Sequence, residues 1–303
     1  MTELAIDAER ANAEHDGADS GDAPFSRVCA TTELPSDDPA VGRYAGVIAP
    51  IWTIGKKLHG GTMVATTAAA ATRRLREVAP ELTDMLPIAA STDFLGAPDP
   101  GEVEYEVRVR KTGRQICLVD SSLIQGGRTL VHTALTFGHL DDAAPVYNAD
   151  RFPDMPAEPP ADAMFYTPDS PMARLVHVSQ GASLAIDRDW ARFLDGETGE
   201  PRLRLWLRPR AADERDPDVA AYFAMMAGDI SPPVSANLGS FGWAPTVQLT
   251  TYLRRRPAPG WLRVIATAQT IGERMFDEDQ LVLDSTGAVV AQSRQLALIP
   301  QRR

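Results

Sequence analysis

The sequence predicts an α+β fold made of two tandem copies of one unit, each an antiparallel sheet wrapped around a central helix. Three observations carry that expectation. The first is an internal repeat. Gly260 lies 159 residues after Gly101 and Gly272 the same distance after Gly113; after one inserted residue, Gly287 falls on Gly127. The second is the alternation of apolar and polar residues in long segments such as "TVQLTTYLR" and "FDEDQLVLDS", the pattern of a half-buried strand. The third is one small-residue-rich helical segment in each half.

The elements follow in the same order twice. An early strand over 43–52 precedes a helix over Gly61–Val78, whose "MVATTAAAATRRLREV" is rich in alanine and ends in basic residues that suit a helix C-terminus. In the second half a strand over 202–208, placed on 43–48 by the same shift, precedes a helix over Pro217–Gly228. Long strands come next, joined by short turns. "QGGR" (125–128) and "DSTG" (284–287) read as hairpin turns. The Pro-rich, aperiodic stretch 144–171 reads as the linker between the halves. Two such copies are expected to pair edge to edge, continuing one sheet and burying both helices. This is the hot-dog layout in double form, with units over 25–143 and 172–303.

Composition narrows the function classes. The chain has 303 residues, 44% hydrophobic and 23% charged, which is a soluble globular profile. No apolar run approaches the ~18 residues a membrane span requires. The start "MTELAIDAERANAEHDG" lacks a basic n-region and an apolar h-region, so no secretory signal is expected. The net charge is −11, and ten acids against two bases fall within residues 1–40. Residues 1–24 are expected to form a disordered acidic tail. An acidic protein gains nothing from a phosphate field, so nucleic acid is not expected as a partner. Cys29 and Cys117, each in an apolar strand-like stretch, read as reduced core residues of a cytoplasmic protein. His15, His132, His139 and His177 form no ligand spacing; no metal and no cofactor are expected.

"TTYLRRRPAPGW" (250–261) poses a sharper question, because three arginines end a strand. Alternation places Leu249, Thr251 and Leu253 on one face and Thr250, Tyr252 and Arg254 on the other. The first half has "LGAP" at this point, so the fold does not require basic residues there. A solvated strand end and a contact from Arg254 to a ligand phosphate are the two readings.

Four stretches, "LHGGTMVA" (58–65), "GDISPP" (228–233), "WAPTVQLTTYLRRRPAPGW" (243–261) and "GAVVAQSRQLAL" (287–298), resemble the acyl-CoA thioesterase II-like, double hot-dog family. The resemblance covers roughly residues 25–300. It implies hydrolysis of acyl-CoA to free fatty acid and CoA, by a water held between an Asp, a Thr and a Gln. Carried over by motif, these are Asp229, Thr246 and Gln295. The chemistry is coherent. A thioester is already activated, so hydrolysis needs a positioned water, a proton acceptor and donors for the oxyanion. There is no G-x-S-x-G nucleophile elbow. "HGG" (His59, Gly60, Gly61) opens the first helix, where backbone N–H groups and the dipole favour an anion or a carbonyl oxygen. These three and Arg254 are the expected substrate contacts.

The repeat makes the halves unequal. Gln295 falls on Leu135, and Asp229 falls near Ala70. One active site per chain is therefore expected. Phe223, Met225 and Met226 are either core or the wall of an acyl tunnel. A non-catalytic acyl-CoA-binding or regulatory member of the same fold is the alternative function. A homo-oligomer is a further expectation from the fold.

Overall fold

The computed structural model describes residues 22–149 and 155–300. Residues 1–21 of the expected acidic tail lie outside the described residues. The first half contains α1 (Pro24–Cys29), β1 (Thr32–Leu34), β2 (Val41–Ile48), a small hairpin of β3 (Thr53–Ile54) and β4 (Lys57–Leu58), α2 (Gly60–Val78), β5 (Leu86–Phe94), β6 (Gly101–Lys111), β7 (Cys117–Gln125) and β8 (Arg128–Gly138). The second contains β9 (Met164–Phe165), β10 (Ala182–Ile186), β11 (Arg202–Pro209), α3 (Ala211–Glu214), α4 (Pro217–Ala227), β12 (Thr246–Leu253), β13 (Leu262–Thr267), β14 (Met275–Leu283) and β15 (Val289–Leu298). Cys29 closes a short helix begun by Pro24, so the strand-like reading of its surroundings is corrected.

Thirteen strands form one antiparallel sheet in the order β1-β2-β6-β7-β8-β5-β12-β15-β14-β13-β11-β10-β9. Outward from the seam between β5 and β12, β5-β8-β7-β6-β2 is mirrored by β12-β15-β14-β13-β11. The registers repeat as well. Pro87 pairs with Phe137 before a bulge, as Thr246 pairs with Ala297 before a bulge. Val119 pairs with Leu135, and 159 residues later Glu278 pairs with Gln295. One alignment needs correction. Arg43 faces Glu106 while Arg204 faces Ile265, so the early strands are offset by 161 residues rather than 159. A shift of two leaves every side chain on its original face.

Helix α2 packs on β5, β6, β7 and β8; α4 packs on β11, β12, β13 and β15; and the two helices touch each other. The small residues of α2 allow that approach, with Val64, Ala65, Ala68, Ala70 and Ala71 fully buried. Its threonines are satisfied within the helix, Thr66, Thr67 and Thr72 donating back to carbonyls one turn earlier. Phe223, Met225 and Met226 belong to the main apolar core.

The described part of the expected linker is packed rather than free. Met155, Ala163 and Phe165 join Ala185, Trp206, Trp261 and Ile265 in a second apolar cluster. Trp206 Nε1 donates to the Pro156 carbonyl at 2.9 Å, and Arg263 to the Met155 carbonyl at 2.9 Å. The arginine run is also accounted for. Arg254 Nε donates to Gln292 Oε1 at 2.7 Å, and Arg255 donates to the Ala143 carbonyl. Arg256 meets Asp218 at 2.9 Å, where Arg76 from the first half arrives at 2.7 Å. The run thus ties a strand end to its surroundings.

Candidate active site

The two halves meet chemically where α2 begins and α4 ends. Gly228 caps α4, and Asp229 follows directly. Its carboxylate accepts the Gly61 N–H, an orphan donor of the first turn of α2. The approach is close enough to dictate the glycines. A Cβ on Gly60 would overlap Asp229 Oδ2, and one on Gly61 would overlap the Met226 carbonyl oxygen. Burial pushes the Asp229 carboxyl up to about 7, with the Gly61 N–H pulling the other way.

His59 is the N-cap of α2 and is only 4% exposed. Its Nδ1 accepts the Thr62 N–H at 3.3 Å. That bond places the ring proton on Nε2, which donates to the Asp229 carbonyl at 2.9 Å and lies 3.7 Å from Asp229 Oδ2. Burial lowers the His59 pKa to about 4, so the imidazole is neutral around pH 7. Both ring nitrogens are engaged. His59, Gly60 and Gly61 therefore sit against Asp229, and their polar groups are spent on holding it.

Thr246 and Gln295 form the other pair. The Thr246 hydroxyl donates to Gln295 Oε1 at 2.6 Å. A bulge between Thr246 and Gln248 makes this possible. Leu249, Thr251 and Leu253 face inward as expected. Simple alternation would turn Thr246 outward, and the extra residue turns it back to the inner face. The bond orients the amide, leaving the Gln295 NH₂ as a donor away from Thr246. Ser293, two residues before Gln295 on the same face, donates its hydroxyl to the Gly228 carbonyl. This bond anchors the Asp229 end of α4 to the strand that carries Gln295.

Sequence reasoning missed Glu278. It lies on β14 directly opposite Gln295 and is fully buried. Burial, with the nearby negative charge of Asp229 adding to it, pushes its carboxyl up to about 7. A signal was present: Phe276, Glu278, Gln280 and Val282 form the inward row of an alternating strand, and a charge in such a row is costly unless it serves something. Arg254, by contrast, stands on the outer face, its guanidinium 5.2 Å from the Tyr252 ring centroid. The structure does not bring it together with Asp229, Thr246 and Gln295. Among the described residues, no group of three or more His, Cys, Asp or Glu could hold a metal ion, and no helix is long and apolar enough to cross a membrane.

Comparison with known proteins covers both halves. A family model for the acyl-CoA thioesterase N-terminal domain matches residues 48–138, and one for the acyl-CoA thioesterase C-terminal domain matches residues 149–299. Uncharacterised proteins of Mycobacterium tuberculosis and Mycobacterium bovis are 40% identical over 293 residues, covering 91% of this chain and 98% of theirs. A structure from Thermobifida fusca, provisionally a thioesterase II, is similar at TM-score 0.73 and 29% identity, over 92% of this chain and 98% of that one. A hot-dog-fold protein from Alicyclobacillus acidocaldarius superposes at TM-score 0.70 and 20% identity, over 92% and 98% of the two chains. The fold of the present chain is thus a hot-dog fold.

Proposed function

The chain belongs to the acyl-CoA thioesterase family, and we propose that it hydrolyses acyl-CoA thioesters through Asp229, Thr246 and Gln295. The observation that carries this reading is the Asp229 carboxylate, poised near neutrality on the first turn of α2 and tied to the strand of Gln295. A base with a pKa near the working pH is the efficient one. In the proposed reaction, Asp229 takes a proton from water as the water oxygen bonds to the thioester carbonyl carbon. The Gln295 NH₂ and the Thr246 hydroxyl hold the water and the developing oxyanion. Collapse breaks the C–S bond, and the CoA sulfur leaves with the proton from Asp229. The products are a carboxylic acid and CoA.

In this reading the mirrored halves are tandem hot-dog units, 25–143 and 172–303, each sheet curving around its own helix, with 144–171 crossing between them. The first unit contributes the cradle of His59, Gly60 and Gly61, and the second contributes the reacting side chains. Release of free CoA from acyl-CoAs of short to long chain tests the proposal. Hydrolysis should rise with pH through about 7 as Asp229 loses its proton. Acyl-CoA binding without CoA release would identify a non-catalytic binding protein instead.

A further inference from the structure

A fully buried carboxylate at the centre of a strand carries a desolvation cost of several kcal/mol, and the fold itself does not ask for one. In the first half the same place is held by Val119, 1% exposed, paired with Leu135, 2% exposed. In the second half both members of the pair are polar, Glu278 opposite Gln295. Directly opposed residues on one face have Cβ atoms about 5 Å apart.

Three donors hold Glu278. Ser231 Oγ and Gln280 Nε2 (2.8 Å) donate to Oε1, and the Val234 N–H donates to Oε2 at 3.0 Å. Gln280 Nε2 also reaches Ser231 Oγ at 2.9 Å. Ser231 and Val234 lie on the loop that begins with Asp229. One buried carboxylate therefore binds the Asp229 loop at two points to the strand beside Gln295.

We propose that Glu278 is a positioning residue of the hydrolytic site, clamping the Asp229 loop against the strand pair that carries Gln295. This role rests on the thioesterase reading above. It has an electrostatic consequence. The negative charge of Asp229 raises the proton affinity of Glu278, and such coupling is reciprocal. The other groups around the pair are His59 at the start of α2, which is neutral, and the uncharged Ser231, Gln280, Ser293 and Gln295. Neutralising Glu278 should therefore lower the pKa at which Asp229 becomes a base.

The experiment is steady-state hydrolysis by the full chain as wild type, Glu278→Gln, Ser231→Ala and Asp229→Asn, across pH 5–9, with thermal melts alongside. Glu278→Gln should lose about tenfold or more in kcat with KM within about twofold, and its acidic limb should move to lower pH. Ser231→Ala, which removes one tether from the loop side and adds nothing to the sheet, should lose about threefold in kcat. It also keeps the test open if Glu278→Gln does not fold. If wild type and Asp229→Asn behave as proposed, wild-type kcat and pH limb in both variants overturn this role alone. An activity loss that only tracks the unfolded fraction, with the limb unmoved, does the same. No CoA release by wild type overturns the thioesterase reading and this role with it.

Discussion

The two halves share a strand order, a register and a helix, yet they present different chemistry at equivalent places. The layer that holds Gln295, Glu278 and Thr246 in the second half holds Leu135, Val119 and Pro87 in the first. The first half shows what the fold needs there, an apolar layer under the helix. The second half departs from it at each position, at a cost in buried polar groups, and satisfies them with partners. The departures cluster where the N-terminus of α2 crosses the seam to reach Asp229. The first half keeps the structural solution and lends the second its helix start.

Converting one half into the other tests this contrast. Gln295→Leu installs the residue of the first half and should leave the fold intact. It should reduce kcat by about 10²–10³, the size of losing one preorganised oxyanion donor, as read by CoA release. Gly60→Ala attacks the lent helix start. A methyl there overlaps Asp229 Oδ2, so it should displace the carboxylate, reduce kcat by about 10²-fold and cost about 1–3 kcal/mol in denaturant unfolding. Leu135→Gln runs the conversion backwards. With Val119 opposite and no equivalent of Asp229, it should create no activity and destabilise by about 1–3 kcal/mol. The smallest effect is expected from Arg254→Ala on the outer face, with KM within about twofold and stability within about 0.5 kcal/mol.

These residues also mark how far the sequence could be read. The repeat was legible because turns leave glycines at fixed spacing, and Gly126, Gly127 and Gly287 do take positive φ in the hairpin turns. The exclusion of Leu135 from chemistry followed from that repeat alone. The inward turn of Thr246 was not legible, because a bulge changes the parity that strand reading relies on. The meeting of His59 and Asp229 joins residues 170 apart in the chain, and no local pattern encodes it. "HGG" was read as open to substrate because a helix start offers free N–H groups; the structure gives the Gly61 N–H to a carboxylate. Composition marked 144–171 as linker, but apolar residues within it such as Phe165 found a partner surface on Trp206 and Ile265. That surface exists only once the sheet has formed.

Asp229 joins the two halves and carries both the chemistry and its cost. Its folded pKa of about 7 stands above the ordinary carboxylate value of ~4, so the fold favours the protonated form. That stabilisation is complete below pH ~4 and is lost as pH rises through about 7. The most direct measurement pairs CoA release with unfolding free energy at pH 8, for wild type and Asp229→Asn. The account predicts that the variant loses hydrolysis by 10³-fold or more while gaining about 1–3 kcal/mol of stability. An Asp229→Asn protein that hydrolyses acyl-CoA at the wild-type rate would contradict it.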